Sequence, residues 1–356
     1  MNTFLPISMA VVLTIAITPL VRLLAVKAGV MDKPDYRKIH KEAMPLMGGL
    51  AIFIGFWATV FCTQAVTREI LAFSAGSLLV LVSGVWDDKK SIRPAIKLIF
   101  QIAAALIIVF IGGIRIDFVT SLHSANPMAL GWLAFPLTAA WIVGLTNAVN
   151  LMDGLDGLAA GVSGIAAVTI GLIAWMEGFP SAGLLALILG ASALAFLRYN
   201  FYPAKVFMGD TGALFLGFSL AVLSIMGLTK MATTVSVFLP ILVLGVPIFD
   251  TLLAIARRIV NKTPIFSPDK DHLHHRLIAM GLSHKKAVLV VYSVCFFLSV
   301  SAVGISLLPT GQAMMVMFLV TMAMFFAADK VGVIGRKVRE NRAEKEKPSL
   351  HRKSEG

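Results

Sequence analysis

Charged residues are scarce in this sequence. Asp, Glu, Lys and Arg make up 14% of its 356 residues, whereas ordinary globular domains are about a quarter charged. Hydrophobic residues make up 58%, and they occur in long uninterrupted runs. The scarcity of charge therefore argues against an ordinary soluble domain and favours a protein embedded in a membrane.

Cysteine, leader-like segments and internal repeats are also lacking. Cys62 and Cys295 are the two cysteines, and both lie in apolar runs, so we expect neither a disulfide framework nor a cysteine metal site. No basic segment precedes the first apolar run, which is long enough to span a bilayer, so we do not expect a cleavable signal peptide. The absence of related halves disfavours a secondary transporter, which remains a remote alternative.

Apolar runs that approach the length of a membrane span dominate the chain. A transmembrane helix needs about 20 mostly apolar residues. The run that contains Pro240 and Pro247 is expected to be kinked or broken. The predicted fold is an all-α polytopic membrane protein with about 11 transmembrane helices. The eleven runs are Phe4–Val26, Met44–Cys62, Ile70–Trp86, Ala95–Gly112, Met128–Leu145, Leu158–Trp175, Ala182–Leu197, Gly212–Leu228, Val235–Ala256, Ala287–Leu308 and Gly311–Ala327.

Basic residues fall almost entirely in one set of connections. Of 31 Lys and Arg residues, 27 lie in one set and three in the other, and Arg22 lies in the first run. Because basic loops face the cytoplasm, we expect an external N-terminus, a cytoplasmic C-terminus and an active site at the cytoplasmic face. This distribution also explains the net charge of +12, so nucleic-acid binding is not needed to account for it. Residues 1–328 form the predicted membrane domain, and 329–356 a disordered basic tail.

The stretch Asn147–Gly157 carries two carboxylates and two carboxamides between two apolar runs. It has no Lys or Arg to offset Asp153 and Asp156, and uncompensated acids at a membrane boundary are costly. A divalent cation, a phosphate held through a cation, or the amine and amide groups of a ligand would each offset that cost. Helix-capping acids in a solvated loop are the alternative.

Two more cytoplasmic segments combine acids with groups suited to nucleotides. Asp87 and Asp88 are adjacent beside the lipid boundary, where such a pair binds Mg²⁺ or splits into one ionised and one protonated group. Lys97 can reach inward to a phosphate, with snorkelling as the alternative. Asp210 lies between two glycines at the start of a predicted helix, where it could bind a ligand or cap the helix. Phe207 offers an aromatic face on which a base can stack.

Two segments are rich in Lys, Arg and His. The first cytoplasmic loop, which includes Lys41, forms a basic strip suited to phosphates, or simply reflects the positive-inside rule. Gly48 and Gly49 follow it and indicate close backbone approach. The segment His272–Arg276 contains three His but fits no zinc motif, so pyrophosphate is the better ligand.

These motifs, in this order, resemble the polyprenyl-phosphate N-acetylhexosamine-1-phosphate transferase family. Each motif alone is modest, but five in order on an eleven-span frame are specific. The resemblance extends to about residue 327. The matching pieces are Asp32–Pro34 through Gly48–Gly49, Asp87–Asp88, Asn147–Gly157, Val206–Gly212 and His272–Arg276.

The resemblance implies an enzyme of the bacterial inner membrane that uses Mg²⁺, with Mn²⁺ as a substitute. Such an enzyme moves a sugar-1-phosphate from a UDP-sugar to undecaprenyl phosphate and releases UMP. The resemblance is also compatible with a homodimer. The resemblance implies that Asp87 and Asp88 are catalytic and that Asp210 and Asn150 bind the metal. Implied substrate-binding residues are Lys41, Lys97, Asp153, Asp156, Asn200, Phe207, His272, His274, His275 and Arg276.

Two departures from the family pattern bear on the metal and the donor. Ser91 stands where many members have a third acid or an Asn, so we do not expect the Asp87 motif to chelate metal alone. Leu273 interrupts the His run and Arg276 follows it, whereas members that use muramoyl-pentapeptide have three consecutive His and then Phe-Glu. This favours UDP-N-acetylglucosamine and the first membrane step of teichoic acid linkage units or surface polysaccharides. Muramoyl-pentapeptide transfer is the alternative.

The charge distribution generates a test of orientation. A cysteine introduced within 262–268 should be shielded from an impermeant thiol label in intact cells, and one within 121–125 should react. Labelling in the reverse pattern would show that the site faces the other side of the membrane.

Overall fold

The computed structural model describes residues 3–32, 43–120, 127–227, 238–260, 262 and 272–330. In these ranges the chain is built mainly from helices. A π-helical turn, Ile107–Ile111, extends α4, and a 3₁₀ turn, Gly131–Leu133, precedes α5. The helices are α1 Phe4–Ala28, α2 Gly49–Thr63, α3 Arg68–Lys89, α4 Pro94–Leu106, α5 Ala134–Met152, α6 Leu158–Met176, α7 Pro180–Asn200, α8 Gly209–Gly227, α9 Phe238–Val243, α10 Gly245–Val260, α11 Leu273–Ala279, α12 His284–Ser306 and α13 Thr310–Lys330.

Most of the predicted spans correspond to single helices. Nine helical segments in the described ranges are long and apolar enough to cross a membrane, and each overlaps one predicted run. The second run yields only α2, with 15 residues. The ninth is divided at Leu244, between α9 and α10. Pro247 explains this interruption, because proline has no N–H to donate and its ring crowds the carbonyl four residues earlier. The chain is a multi-pass membrane protein.

Two short antiparallel ribbons depart from the all-α prediction. Strand β1 (Met31–Asp32) pairs with β2 (Met44–Pro45), and β3 (Phe118–Thr120) pairs with β4 (Pro127–Ala129). Strands of two or three residues are too short to show an alternating hydrophobic pattern, so the sequence did not predict them. The first ribbon continues into the site, since the Phe207 amide donates to the Pro45 carbonyl at 2.8 Å.

Helix α8 lies at the centre of the bundle. Its apolar window is 89% buried, whereas the corresponding windows of α1 and α13 are 28% and 11% buried. Helices α2, α3, α5, α6 and α7 pack against α8. The outer helices are left to face lipid, where an apolar surface needs no further cover.

Close approach of α2 to α8 brings the start of each helix together. A Cβ atom on Gly49 would lie 2.0 Å from the Gly212 Cα atom, so the contact requires glycine. The amides of Gly48 and Gly49 donate to the carbonyls of Phe207 and Met208, both at 2.9 Å. The close approach predicted from Gly48 and Gly49 is confirmed. These bonds fix the segment that leads into α8.

Candidate active site

A cavity of about 580 Å³ lies where α8 begins. Its wall also includes the ends of α3 and α5 and the start of α12. Among the described residues, six carboxyl groups line it, and the basic or imidazole side chains in the wall belong to Lys89, His275 and His284. The cavity is therefore rich in acid. The six acids are Asp32, Asp87, Asp88, Asp153, Asp156 and Asp210.

Asp88, near the end of α3, holds the first turn of α8. One carboxylate oxygen accepts from the Asp210 amide at 2.8 Å, and the other accepts from the Thr211 amide at 3.2 Å and hydroxyl at 2.6 Å. The first amides of a helix have no partner within the helix, and a carboxylate is well placed there. Both oxygens of Asp88 are thus engaged in holding α8.

Lys97 joins the two other acids of this region. Its ammonium lies 3.0 Å from an Asp87 oxygen and 2.5 Å from an Asp210 oxygen. The second oxygen of Asp87 accepts from the Ile92 amide at 2.8 Å. Lys97 was predicted to reach a phosphate, and the structure places it between two carboxylates at the edge of the cavity. Its two ion pairs connect α4 to α3 and α4 to α8.

Asp153 is the least compensated acid in the cavity wall. Its carboxyl group has no hydrogen bond or ion pair with any described residue. Burial and then the charges of Asp210, Asp88 and Asp156 raise its pKa to about 8. A carboxyl group in such surroundings either keeps a proton or requires a cation nearby.

The residues fit the magnesium ion that the family resemblance implies. In the described part of the chain no three His, Cys, Asp or Glu side chains converge into a metal cage. However, the Asn150 carboxamide, the Asp210 carboxylate and the uncompensated Asp153 line the same cavity. Mg²⁺ commonly takes one or two carboxylates, and substrate phosphates and water complete its shell. The donor set therefore suits Mg²⁺ shared with a phosphate ligand.

Asn200 links two loops of the cavity wall. Its carbonyl oxygen accepts from the Gly157 amide at 3.1 Å, and its amide nitrogen donates to the Val206 carbonyl at 3.0 Å. Asn200 is buried, although it was predicted to bind substrate. Phe207 follows Val206 directly and lines the cavity. Asn200 therefore fixes the backbone that carries Phe207.

His284, at the start of α12, is a cavity residue that the sequence analysis did not identify. Its Nε2 atom accepts from the Asp156 amide at 2.9 Å, and its ring stacks on Tyr202 with centroids 4.8 Å apart. The Asp156 carboxylate accepts from the Ala204 amide at 3.0 Å. A single His outside any recognised motif gives no signal in the sequence, so this contact required the fold.

The His272–Arg276 segment differs most from the prediction. His272 and His274 are buried, with 4% and 2% of their surfaces exposed, and neither lines the cavity. Of the three predicted histidines, the lining includes only His275. Burial and then the charge of His275 lower the pKa of His274 to about 3, so His274 is neutral at physiological pH. A charged phosphate contact by His274 is not supported.

Most of the predicted site residues surround one cavity. Lys97 contacts two lining acids, Arg276 is buried outside the lining, and Lys41 lies outside the described residues. Asp250 was overlooked, although an acid inside an apolar run is itself a signal. The lining residues among those predicted are Asp87, Asp88, Asn150, Asp153, Asp156, Asn200, Phe207, Asp210 and His275.

Comparison with known proteins yields a family match and several relatives. The model of glycosyl transferase family 4 matches residues 70–228, from α3 to the end of α8. The chain is 46% identical to the probable undecaprenyl-phosphate N-acetylglucosaminyl 1-phosphate transferase of Bacillus subtilis (strain 168), over 90% of each chain.

Two further relatives are more distant. The decaprenyl-phosphate N-acetylglucosaminephosphotransferase of Mycobacterium leprae (strain TN) is 36% identical, over 80% of this chain and 78% of that protein. The undecaprenyl-phosphate alpha-N-acetylglucosaminyl 1-phosphate transferase of Escherichia coli (strain K12) is 27% identical, over 76% of this chain and 75% of that protein.

Asp153 generates a prediction about stability and pH. The fold raises the pKa of Asp153 from its ordinary value of 3.8 to about 8. Between about pH 4 and pH 8 the group is therefore ionised in the unfolded chain but protonated in the fold, so stability falls as pH rises through this range. In metal-free detergent solution Asp153→Asn should raise the unfolding temperature at pH 8 by about 2–4 °C or more, with no gain near pH 4.

The matched control is Asp156→Asn, since that carboxylate accepts a backbone hydrogen bond. It should give no such gain at either pH. An equal gain in both variants would mean that general charge reduction, rather than the surroundings of Asp153, is responsible.

Proposed function

The chain belongs to glycosyl transferase family 4, and we propose that it transfers N-acetylglucosamine-1-phosphate from UDP-N-acetylglucosamine to undecaprenyl phosphate and releases UMP. The names of its Bacillus subtilis and Escherichia coli relatives support this acceptor and this sugar phosphate. The interrupted His run, with Leu273 between His272 and His274, supports the same donor. The reaction would be the first membrane step in making a cell-envelope polymer.

The observation that carries the reaction type is that Lys97 lies between Asp87 and Asp210, two of the acids that line the cavity. Both proposed substrates carry phosphates, and carboxylates repel phosphates unless cations offset their charge. Lys97 supplies one cation. A Mg²⁺ ion held by Asp210 and Asn150 would supply a second and polarise the phosphoryl oxygens of the donor.

The transfer exchanges one pyrophosphate bond for another. An oxygen of the lipid phosphate bonds to the β-phosphorus of the donor, and the bond from that phosphorus to the oxygen of UMP breaks. Catalysis of such a reaction is mainly positioning and charge stabilisation. We assign Asp87 to the acceptor phosphate and Lys97 to charge on the transferring group. Asp88 instead positions α8, because its oxygens are already bonded there.

A second part of the cavity wall suits the nucleoside half of the donor. Phe207 offers a ring on which uracil can stack, and Asp156 lines the cavity nearby. Asn200 acts through the loops it joins. His275 is the member of the His segment that we assign to the donor phosphates or sugar.

We place the site at the cytoplasmic face of the bacterial cell membrane. The segments around the cavity, 87–97, 147–157 and 198–210, belong to the set of connections that holds 27 of the 31 basic residues. The positive-inside rule supports a cytoplasmic location for that set, where a nucleotide-sugar donor is available. The homodimer remains a prediction.

A donor assay tests the function. Purified protein with Mg²⁺ and undecaprenyl phosphate should release UMP from UDP-N-acetylglucosamine and not from UDP-N-acetylmuramoyl-pentapeptide. Chelation of the metal should abolish release. Turnover of the peptide donor alone would assign the chain to muramoyl-pentapeptide transfer, and no turnover with either donor would contradict the proposal.

A pair of variants separates the acids by role. Asp210→Asn should lower activity, and part of that activity should return at high Mg²⁺. Asp87→Asn should lower turnover by about 10²–10⁴-fold, with the Mg²⁺ midpoint and nucleotide affinity nearly unchanged. Titrations of Mg²⁺ and nucleotide on both proteins measure this. A shifted midpoint in Asp87→Asn but not in Asp210→Asn would reverse the assignment.

A further inference from the structure

We propose that Asp250, on α10, is a positioning residue that orients α11 and so presents His275 to the cavity. This inference rests on the proposed function, because it assigns Asp250 a role in binding the nucleotide-sugar donor. Asp250 is not in the cavity wall. Its effect is transmitted through His272 and the first turn of α11.

Asp250 makes two contacts with the start of α11. Its Oδ2 atom lies 2.9 Å from His272 Nδ1, and its Oδ1 atom accepts from the Leu273 amide at 2.9 Å. Both side chains are buried, with 6% of Asp250 and 4% of His272 exposed. A carboxylate that accepts from Nδ1–H fixes the tautomer and the ring orientation of a histidine. Asp250 thus holds the first backbone amide of α11 and the His272 side chain that precedes the helix.

Contacts between rings extend from His272 toward the cavity. The rings of His272 and His274 are nearly parallel, at 4°, with centroids 5.9 Å apart, and His274 and His275 lie 4.2 Å apart. A Cβ atom on Gly154 would lie 2.3 Å from His274 Nε2, so the His274 ring packs directly on that glycine. His275 is the ring that lines the cavity. Moving His272 would therefore move His275 as well.

Helix α11 depends on such an anchor because it is short. It has seven residues, and a helix of this length has little stability of its own. His272 makes no side-chain cap to the amides of α11. The carboxylate of Asp250 replaces that cap from the neighbouring helix.

The test combines donor kinetics with hydrogen exchange in the full-length protein. The variants are Asp250→Ala, Asp250→Asn, His272→Ala and the double variant Asp250→Ala/His272→Ala. The control is Leu253→Ala, on the same helix, because Leu253 shares an apolar cavity of about 130 Å³ with Leu273 and Leu277 and makes no bond to the start of α11. The control alters the apolar cavity between α10 and α11 without removing the carboxylate.

In Asp250→Ala we expect the KM for UDP-N-acetylglucosamine to rise about tenfold, as for other residues that orient a binding side chain, with a smaller change in kcat. A loss of folded protein would lower kcat and leave KM unchanged. Asp250→Asn keeps an oxygen for the Leu273 amide and should fold normally with a smaller rise in KM. Leu253→Ala should leave KM unchanged.

The double variant tests whether Asp250 acts through His272. Its KM should be no higher than that of the worse single variant, because residues that act as one unit are not additive. Amide exchange of 273–279 should accelerate in Asp250→Ala and not in Leu253→Ala. The proposal would be overturned if the increases in KM of the two single variants multiplied in the double variant. It would also be overturned if Asp250→Ala changed neither KM nor amide exchange. If the wild type releases no UMP, the proposed function fails, whereas the exchange experiment still tests the contact.

Discussion

Three hydrogen bonds to the carboxylate of Asp88 hold α8 in place, which is the most buried of the membrane-length helices in the described residues. The start of α8 carries Asp210, so these bonds also set where that acid stands relative to Asp87 and Lys97. Two glycines pack against this contact, and neither position has room for a side chain. A Cβ atom on Gly84 would lie 2.6 Å from the Thr211 Cα atom, and one on Gly209 would lie 2.4 Å from an Asp88 oxygen. The packing of α3 on α8 and the geometry of the site therefore depend on the same few atoms.

The acids in and near the cavity differ in their partners. Asp88, Asp156 and Asp250 accept hydrogen bonds from backbone amides and hold helices or loops in position. Asp153 accepts none from the described residues and lies among other carboxylates, which raises its pKa to about 8. Asp87 and Asp210 lie between these cases, because both pair with Lys97 and both line the cavity. Residue type alone does not distinguish them.

Much of the architecture follows from the sequence because the bilayer imposes one length and one polarity on every span. Acids beside a lipid boundary are costly, so those in Asn147–Gly157 and at Asp87 identified the cavity. The partners of these acids were not predictable, because they are distant in the sequence. The fold alone brings Lys97 to Asp210 and Asp88 to the first turn of α8. Histidine is a common ligand, so the sequence suggested that His272 binds substrate. Its ring instead points to Asp250 in another helix, which only the fold reveals. The two short β ribbons carry no periodic pattern.

The contact between Gly154 and His274 ties two distant parts of the chain together. Any side chain at position 154 would displace the His274 ring, and any bulkier ring at position 274 would press on the loop that carries Asp153 and Asp156. Position 154 can therefore gain a side chain only if the residue at position 274 becomes smaller. In evolutionary terms, a larger residue at position 154 would have to be accompanied by a smaller one at position 274, so the choice of residue at one position constrains the other.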